Sequence, residues 1–266
     1  MYSVSGSDSI SYERIADSYD EQRGGLVRGG SFAADLAPWS TPRPVLEVGV
    51  GTGAVAKPLA DLLHTNVAGV DLSPAMAARA KARLGPRMVV GSAESLPIRA
   101  SKIGTVVFVW VLQVVGDTAS AMSEAARVLK THGRVLAVLA GQAMRRAADM
   151  EELLVDWWAA LGRSRPDTVE QVRAAAESAG LALLAEAVTT EQEWEQSPNE
   201  AAALIEQRAF GPLFELDNAT FQRVVQPVAD SLRALPAPDQ PRVCTASHPL
   251  LIFEKTEKHQ HPPRDG

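Results

Sequence analysis

Short unbroken apolar blocks alternate with amphipathic stretches through the first half of the chain. "PVLEV" (44–48) runs straight into glycine, and a block of that length bounded by turn residues reads as a buried strand. "NVAGVDL" (66–72), "RMVV" (87–90), "TVVFVW" (105–110) and "RVLAVLA" (134–140) repeat the pattern. Between them lie helix-like stretches, "AVAKPLADLLH" (54–64), "SPAMAARAKARL" (73–84) and "DTASAMSEAARVLK" (117–130). Ser73 has the side chain of an N-cap, and Pro74 suits the first helical position because its missing N–H is an orphan there anyway. Upstream, "YERIADSYDEQR" (12–23) and "RGGSFAADLAPW" (28–39) read as two helices ahead of the proline-rich "STPRP". Strands alternating with helices predict βαβ units, hence a parallel sheet covered on both faces.

The second half is less regular. "MRRAADMEELLVDWWAALG" (144–162), "TVEQVRAAAESAG" (168–180) and residues 199–210 and 218–234 have helical spacing. "LALLAEAVTT" (181–190) reads as a sixth strand and "RVCTASHPLLIFEK" (242–255) as a last one, with His248 expected at an exposed edge. No internal repeat and no linker stands out. The expected organisation is one domain: residues 1–140 hold N-terminal helices and a ligand-binding core. Residues 141–266 complete the same sheet, with a helical lid over 141–166 and 191–241 and a disordered tail over 257–266.

Composition narrows the classes. The chain has 266 residues, 46% hydrophobic and 22% charged, as in ordinary globular proteins, and a net charge of −6. With no Lys/Arg run longer than two residues, a nucleic-acid-binding surface is not expected. The longest apolar run, 106–112, is too short to span a bilayer, so no membrane association is expected. The single cysteine, Cys244, cannot form an internal disulfide, and no secretory signal pattern opens the sequence. A cytoplasmic protein, monomer or homodimer, is the expectation. No His/Cys cluster or H-E-x-x-H pattern calls for a metal.

The chemistry concentrates in "VLEVGVGTGAVAKPLA" (45–60). A strand, a glycine loop and a helix make a nucleotide-type site, since glycine lets backbone approach a ligand closely. The phosphate-loop pattern G-x-x-x-x-G-K-[ST] fails here, because Lys57 sits between Ala56 and Pro58. The spacing of Gly49, Gly51 and Gly53 is G-x-G-x-G, not the dinucleotide G-x-G-x-x-G. Glu47, two residues before the loop, disfavours a pyrophosphate and suits a cationic ligand. The stretch resembles the first motif, E/D-x-G-x-G-x-G, of the class I S-adenosylmethionine (SAM)-dependent methyltransferases, with Glu47, Gly49, Gly51 and Gly53 in register. "DLSPAMAARAKARL", "GSAESLPI" (91–98) and "EAARVLKTHGRVL" (124–136) are similar to that family's later motifs, in order.

The resemblance implies a Rossmann-like α/β fold with a seven-stranded, mostly parallel sheet, helices on both faces and a helical lid. It implies SAM as cofactor, with Asp71 on the ribose hydroxyls, and a cofactor set of Tyr19, Glu47, Gly49, Gly51, Gly53, Asp71, Leu72, Met76, Ser92, Ala93, Glu94 and Trp110. Two departures stand out. Ser92 occupies the place of an Asp that bonds adenine, and Gln113 lies where many relatives carry a histidine base. No catalytic residue is assigned. Gln113, Trp157, Trp158, Trp194, Arg208 and Phe214 are the candidate acceptor-pocket residues, because strand ends in a parallel sheet open toward the lid. The expected reaction moves a methyl group to O, N or C of a small organic acceptor, in natural-product biosynthesis. Two alternatives stay open. One is a SAM-binding protein with non-methylating chemistry or a binding role. The other is a nicotinamide-dependent dehydrogenase, whose Y-x-x-x-K neither Tyr12 nor Tyr19 supplies.

Overall fold

The computed structural model describes residues 12–13, 15–160, 167–209, 213 and 216–256. The expected tail over 257–266 lies outside the described residues, as do Phe214 and the side chain of Trp158.

Among the described residues, ten strands form two sheets. The main sheet uses β1 (Val45–Val48), β2 (Val67–Asp71), β3 (Met88–Val90), β4 (Ile103–Val109), β5 (Leu129–Val138), β7 (Leu181–Val188) and β10 (Pro249–Lys255). Their order is β3-β2-β1-β4-β5-β10-β7. The first five are mutually parallel, and β10 runs antiparallel between β5 and β7. β1 and most of β4 are buried along their length, which is why they read as unbroken apolar runs.

The helices cover both faces. On one face α2 (Gly25–Leu36), α3 (Ala56–Leu62) and α4 (Pro74–Leu84) bury Phe32, Ala33, Leu36, Leu59 and Ala80 against β1, β2 and β4. On the other, α5 (Thr118–Val128) and α7 (Val169–Ser178) bury Met122, Ala125, Val172 and Ala176. The Ser73 cap matches its sequence signal, and a second cap appears only in the structure. Ser73 Oγ accepts from the Met76 N–H, and Thr168 with Gln171 forms a complete capping box at the start of α7.

The lid differs from the helical insertion expected. Strands β6 (Met144–Arg146), β9 (Arg242–Ser247) and β8 (Gln192–Gln196) make a separate three-stranded antiparallel sheet. The stretch 144–162 is therefore not one helix: β6 and a 3-10 turn precede α6 (Glu151–Ala160). The last strand also divides. Residues 242–247 pair in the lid sheet and 249–255 in the main sheet, with His248 at the switch. His248 is not edge-exposed as expected but 1% exposed. Its N–H donates to Thr189 Oγ1 at 3.0 Å and its Nδ1–H to the Leu139 carbonyl at 3.1 Å. Lid helices α8 (Pro198–Glu206) and α10 (Gln226–Arg233) pack their own apolar cluster around Trp157, Ile205, Phe221 and Leu232; α9 is the single turn Asn218–Thr220.

The N-terminal segment is tied across the carboxyl edge of the sheet by polar contacts. Glu13 accepts from Ser73 Oγ at 2.8 Å and from the Ala75 N–H at 2.9 Å. Asp20, on α1 (Tyr19–Arg23), accepts from Thr52 Oγ1 at 2.6 Å and pairs with Arg83 of α4. No described helix is long and apolar enough to cross a membrane.

Candidate functional site

The glycine loop opens where β1 ends. Gly49 has φ 70°, and a Cβ there would lie 2.4 Å from Val111 Cγ2, so both conformation and space exclude a side chain. Gly51 has φ 55° with open space beside it. Only backbone conformation, and whatever fills the cleft, requires glycine there. Gly53 instead packs on Ala80 and lies outside the cavity lining. Asp71, at the end of β2, holds the loop: one carboxylate oxygen accepts from the Gly51 N–H at 2.7 Å and the other from the Ser73 N–H at 2.9 Å.

Two adjoining cavities lie over this edge. The larger, about 250 Å³, is lined by Tyr19, Gly49, Gly51, Asp71, Leu72, Met76, Ser92, Ala93, Glu94 and Trp110, all among the residues singled out from sequence. The smaller, about 60 Å³, is lined by Glu47, Arg23, Arg28, Thr52 and Phe32. Tyr19, Gly49, Val109 and Trp110 line both and form the junction. The site thus has a roomy compartment with the carboxylates of Asp71 and Glu94 among apolar and hydroxyl groups, and a small compartment that adds the two arginines and Glu47.

The charged groups are poised unusually. Glu47 is 2% exposed; it accepts from the Ala56 N–H, and its Oε2 has no partner. Burial, reinforced by the nearby Asp71 charge, pushes its carboxyl well above the ordinary value of 4.5. Burial also raises Asp71, against the backbone N–H groups of Ser73 and Gly51 that favour its charge. It raises the Tyr19 phenol, which is therefore protonated at neutral pH and no base. His248, behind Trp110 with ring centroids 4.9 Å apart, is pushed down to about 4 by burial and by Arg145, so its imidazole is neutral at pH 7. It lines neither cavity.

The other candidates lie elsewhere. Gln113 Nε2 donates to the Trp110 carbonyl at 3.2 Å, supporting the left-handed backbone of Trp110 (φ 54°). Trp157 is buried in the lid cluster. Arg208 covers the Phe221 ring at 4.6 Å and bonds the carbonyls of Leu213 and Leu216 and the side chain of Asn218, so it ties the lid together. Trp194 does approach the site, through Arg28: the guanidinium lies 5.2 Å from the Trp194 ring and 5.3 Å from the Trp110 ring. Arg28 carries no signal in the sequence, since a single arginine at the head of a glycine-rich helix has no motif. Ser92 Oγ accepts from the Glu94 N–H at 3.1 Å, and Glu94 accepts from the Asp117 N–H at 2.9 Å. Among the described residues no His/Cys/Asp/Glu group could hold a metal.

The residues present fit SAM on two observations. Glu47 Oε2 is a buried acceptor without a donor in a cavity that also holds arginine, as an ammonium and a carboxylate together require. Asp71 and the bare Gly51 backbone leave a concave wall without side chains beside it. Residues 46–137 match the family described as a methyltransferase domain. Malonyl-[acyl-carrier protein] O-methyltransferase of Geobacter sulfurreducens is 34% identical over 177 residues, 61% of this chain, and the chain spans 64% of that relative's length. The YcgJ protein of Bacillus subtilis has the same fold, with a TM-score of 0.55 at 19% identity over 85% of this chain and 98% of that one. So does a geranyl diphosphate methyltransferase solved with SAM, with a TM-score of 0.53 at 15% identity over 85% of each chain. Residues 46–137 are thus similar to the methyltransferase domain family, and the seven-stranded sheet shares its fold with solved SAM-dependent methyltransferases.

Proposed function

We propose that the protein is a SAM-dependent methyltransferase acting on an O, N or C atom of a small organic acceptor. The observation that carries this reading is the two-compartment cleft whose small end holds an orphaned, buried carboxylate, Glu47, beside arginine. SAM has that division: an adenosine, and a zwitterionic amino acid joined to it at sulfur. Its sulfonium supplies a methyl group already activated for in-line displacement.

The chain's own residues do the rest. Asp71 offers two carboxylate oxygens to the ribose hydroxyls, and a carboxylate keeps lone pairs for them beyond its two backbone bonds. Leu72 and Met76 flank the base, and Ser92 offers a hydroxyl in place of a carboxylate to the adenine edge. Glu47 holds the ammonium and Arg23 the carboxylate. Trp110, Tyr19 and Gly49 frame the junction, and the N-terminal segment tied by Glu13 and Asp20 excludes water from it. The methyltransferase relative named above acts on a malonyl group carried by a protein; a small acid-bearing acceptor is in keeping with that. A biosynthetic role for the product, in a soluble cytoplasmic enzyme, is part of the same reading.

Calorimetric titration with S-adenosylhomocysteine, NAD and ATP tests it. Binding of S-adenosylhomocysteine alone is expected; binding of NAD without S-adenosylhomocysteine would overturn it. The second reading, SAM binding without methylation, draws on one observation. Tyr19, at the junction of the two cavities, has its phenol raised by burial and is no base at neutral pH. Transfer of label from methyl-labelled SAM into a metabolite extract separates the two.

A further inference from the structure

The smaller cavity holds more positive charge than the cofactor reading uses. Arg23 donates to the Ala209 carbonyl at 2.5 Å, toward the lid. Arg28 is different. Its guanidinium is partly buried between the faces of Trp110 and Trp194, at 5.3 and 5.2 Å, and it makes no hydrogen bond or ion pair with any described residue. Burial and a second cation, Arg23, act against its charge, and the carboxylates that line the same cavity, Asp20 and Glu47, make no ion pair with it. A guanidinium has five donors in a planar fork, and leaving them unused in a half-dry place is costly. Beside it, the indole Nε1–H of Trp110 is buried without an acceptor. The guanidinium thus lies over the ring whose own N–H lacks an acceptor, next to the junction of the two cavities.

The supports of this pair are built from three separate regions. Trp110 follows β4 in a left-handed backbone conformation that a bulky residue rarely adopts. Trp194 comes from β8 of the lid sheet and Arg28 from α2 of the N-terminal segment. The Asp35 carboxylate on α2 accepts from the Thr190 N–H at 2.9 Å and hydroxyl at 2.7 Å, holding the start of the lid against that helix. Strain, stacking and unspent donors converge on the side of Trp110 that faces the lid, where an acceptor must enter.

Building on the methyltransferase reading, we propose that Arg28, clamped between Trp110 and Trp194, together with the Trp110 indole N–H, is the receptor for a carboxylate on the acceptor. The class of substrate is then a small, largely apolar organic acid. One unpaired guanidinium matches one negative charge, and a carboxylate accepts from the fork and the indole at once. Flanking tryptophan faces keep the cation in place and suit an apolar body next to the head group. Arg28 positions the acceptor and takes no part in bond making.

The test uses the full chain saturated with S-adenosylhomocysteine and three probes of equal length: octanoate, 1-octanol and octyl phosphate. Wild-type protein should bind octanoate more tightly than the other two. Arg28→Gln should weaken octanoate at least tenfold and leave 1-octanol unchanged. Arg28→Lys, which keeps the charge but loses the fork and the stacking, should fall between. Both variants should bind S-adenosylhomocysteine within threefold of wild type. Loss of S-adenosylhomocysteine affinity in Arg28→Gln, with 5′-methylthioadenosine affinity unchanged, would assign Arg28 to the cofactor's own carboxylate and overturn the proposal. Equal binding of octanoate and octanol, no octanoate binding at millimolar concentration, or tighter binding of octyl phosphate would overturn it too. Failure of wild-type protein to bind S-adenosylhomocysteine would instead refute the methyltransferase reading, before any probe is added.

Discussion

Glu47→Gln isolates the contribution of a single buried charge to cofactor binding and to stability. In the ligand-free protein the carboxyl has one backbone donor and an unpaired oxygen, and burial holds its pKa well above 4.5. An ammonium bound there pairs with the ionised form. A hydrogen bond to a charged group is worth about 1.5–3 kcal/mol, so Glu47→Gln should weaken S-adenosylhomocysteine about 10- to 150-fold. In wild type, binding at pH values below the raised pKa must expel a proton. Affinity there should rise about tenfold per pH unit and flatten above it. In Glu47→Gln this pH slope should vanish, and 5′-methylthioadenosine, which lacks the amino acid, should show no such slope with either protein.

The same shift sets a stability effect of opposite sense. Because the folded pKa lies above the unfolded one, the unfolded chain binds fewer protons between the two values. Stability from this group is therefore full below about 4.5 and is lost as pH rises toward the folded pKa. Above that window Glu47→Gln should stabilise the ligand-free protein by about 1–3 kcal/mol, the cost of a poorly satisfied buried group. For a chain of this size that raises Tm by about 2–4 °C per kcal/mol. Calorimetry in two buffers of different ionisation enthalpy counts the expelled proton, and thermal melts across pH read the second effect. A variant that binds S-adenosylhomocysteine as wild type does, with the same pH slope, would refute the assignment of the ammonium to Glu47. So would a lower Tm above the window.

Asp71→Asn should lose both affinity and stability, about 1.5–3 kcal/mol of binding and 1–3 kcal/mol of folding, because the amide cannot accept from Gly51 and Ser73 on opposite atoms. Calorimetry and melts measure the two, and a loss of affinity alone would show that the loop does not depend on this carboxylate. Gly29→Ala should strongly destabilise the fold, since its Cβ would lie 2.0 Å from the Ala54 carbonyl oxygen, whereas Gly30→Ala next to it meets nothing within 4 Å and should raise Tm through helix propensity worth about 1 kcal/mol. Equal melts for the pair would contradict the packing of α2 on the glycine loop. Ser92→Ala should weaken S-adenosylhomocysteine modestly, by about 0.5–1.5 kcal/mol, and Ser92→Asp should restore or improve it. No change in Ser92→Ala would place the adenine amino group on another partner.

The sequence alone determined the elements whose signals are local. A buried strand needs only a short apolar run, so β1, β2 and β4 were legible, as was the acid–glycine spacing that places Glu47, Gly49, Gly51 and Asp71 at one sheet edge. Ser73 with Pro74 announced a helix start through a side chain that satisfies a free N–H group within three residues. The lid sheet was not legible. β6 is three residues long, β8 alternates glutamate with polar and aromatic residues, and both pair with β9, a partner far away in sequence. The apparent single strand over 242–255 is divided because its two halves find different partners, and only the packed structure buries His248 between them. Tertiary structure likewise decided which aromatic residues matter at the site. Trp157 and Trp194 look alike in sequence, yet one fills the lid core and the other covers Arg28. The orphaned donors of Arg28 and Trp110 and the empty side of Glu47 are properties of what fails to pair, and pairing is settled by residues brought together across the whole chain.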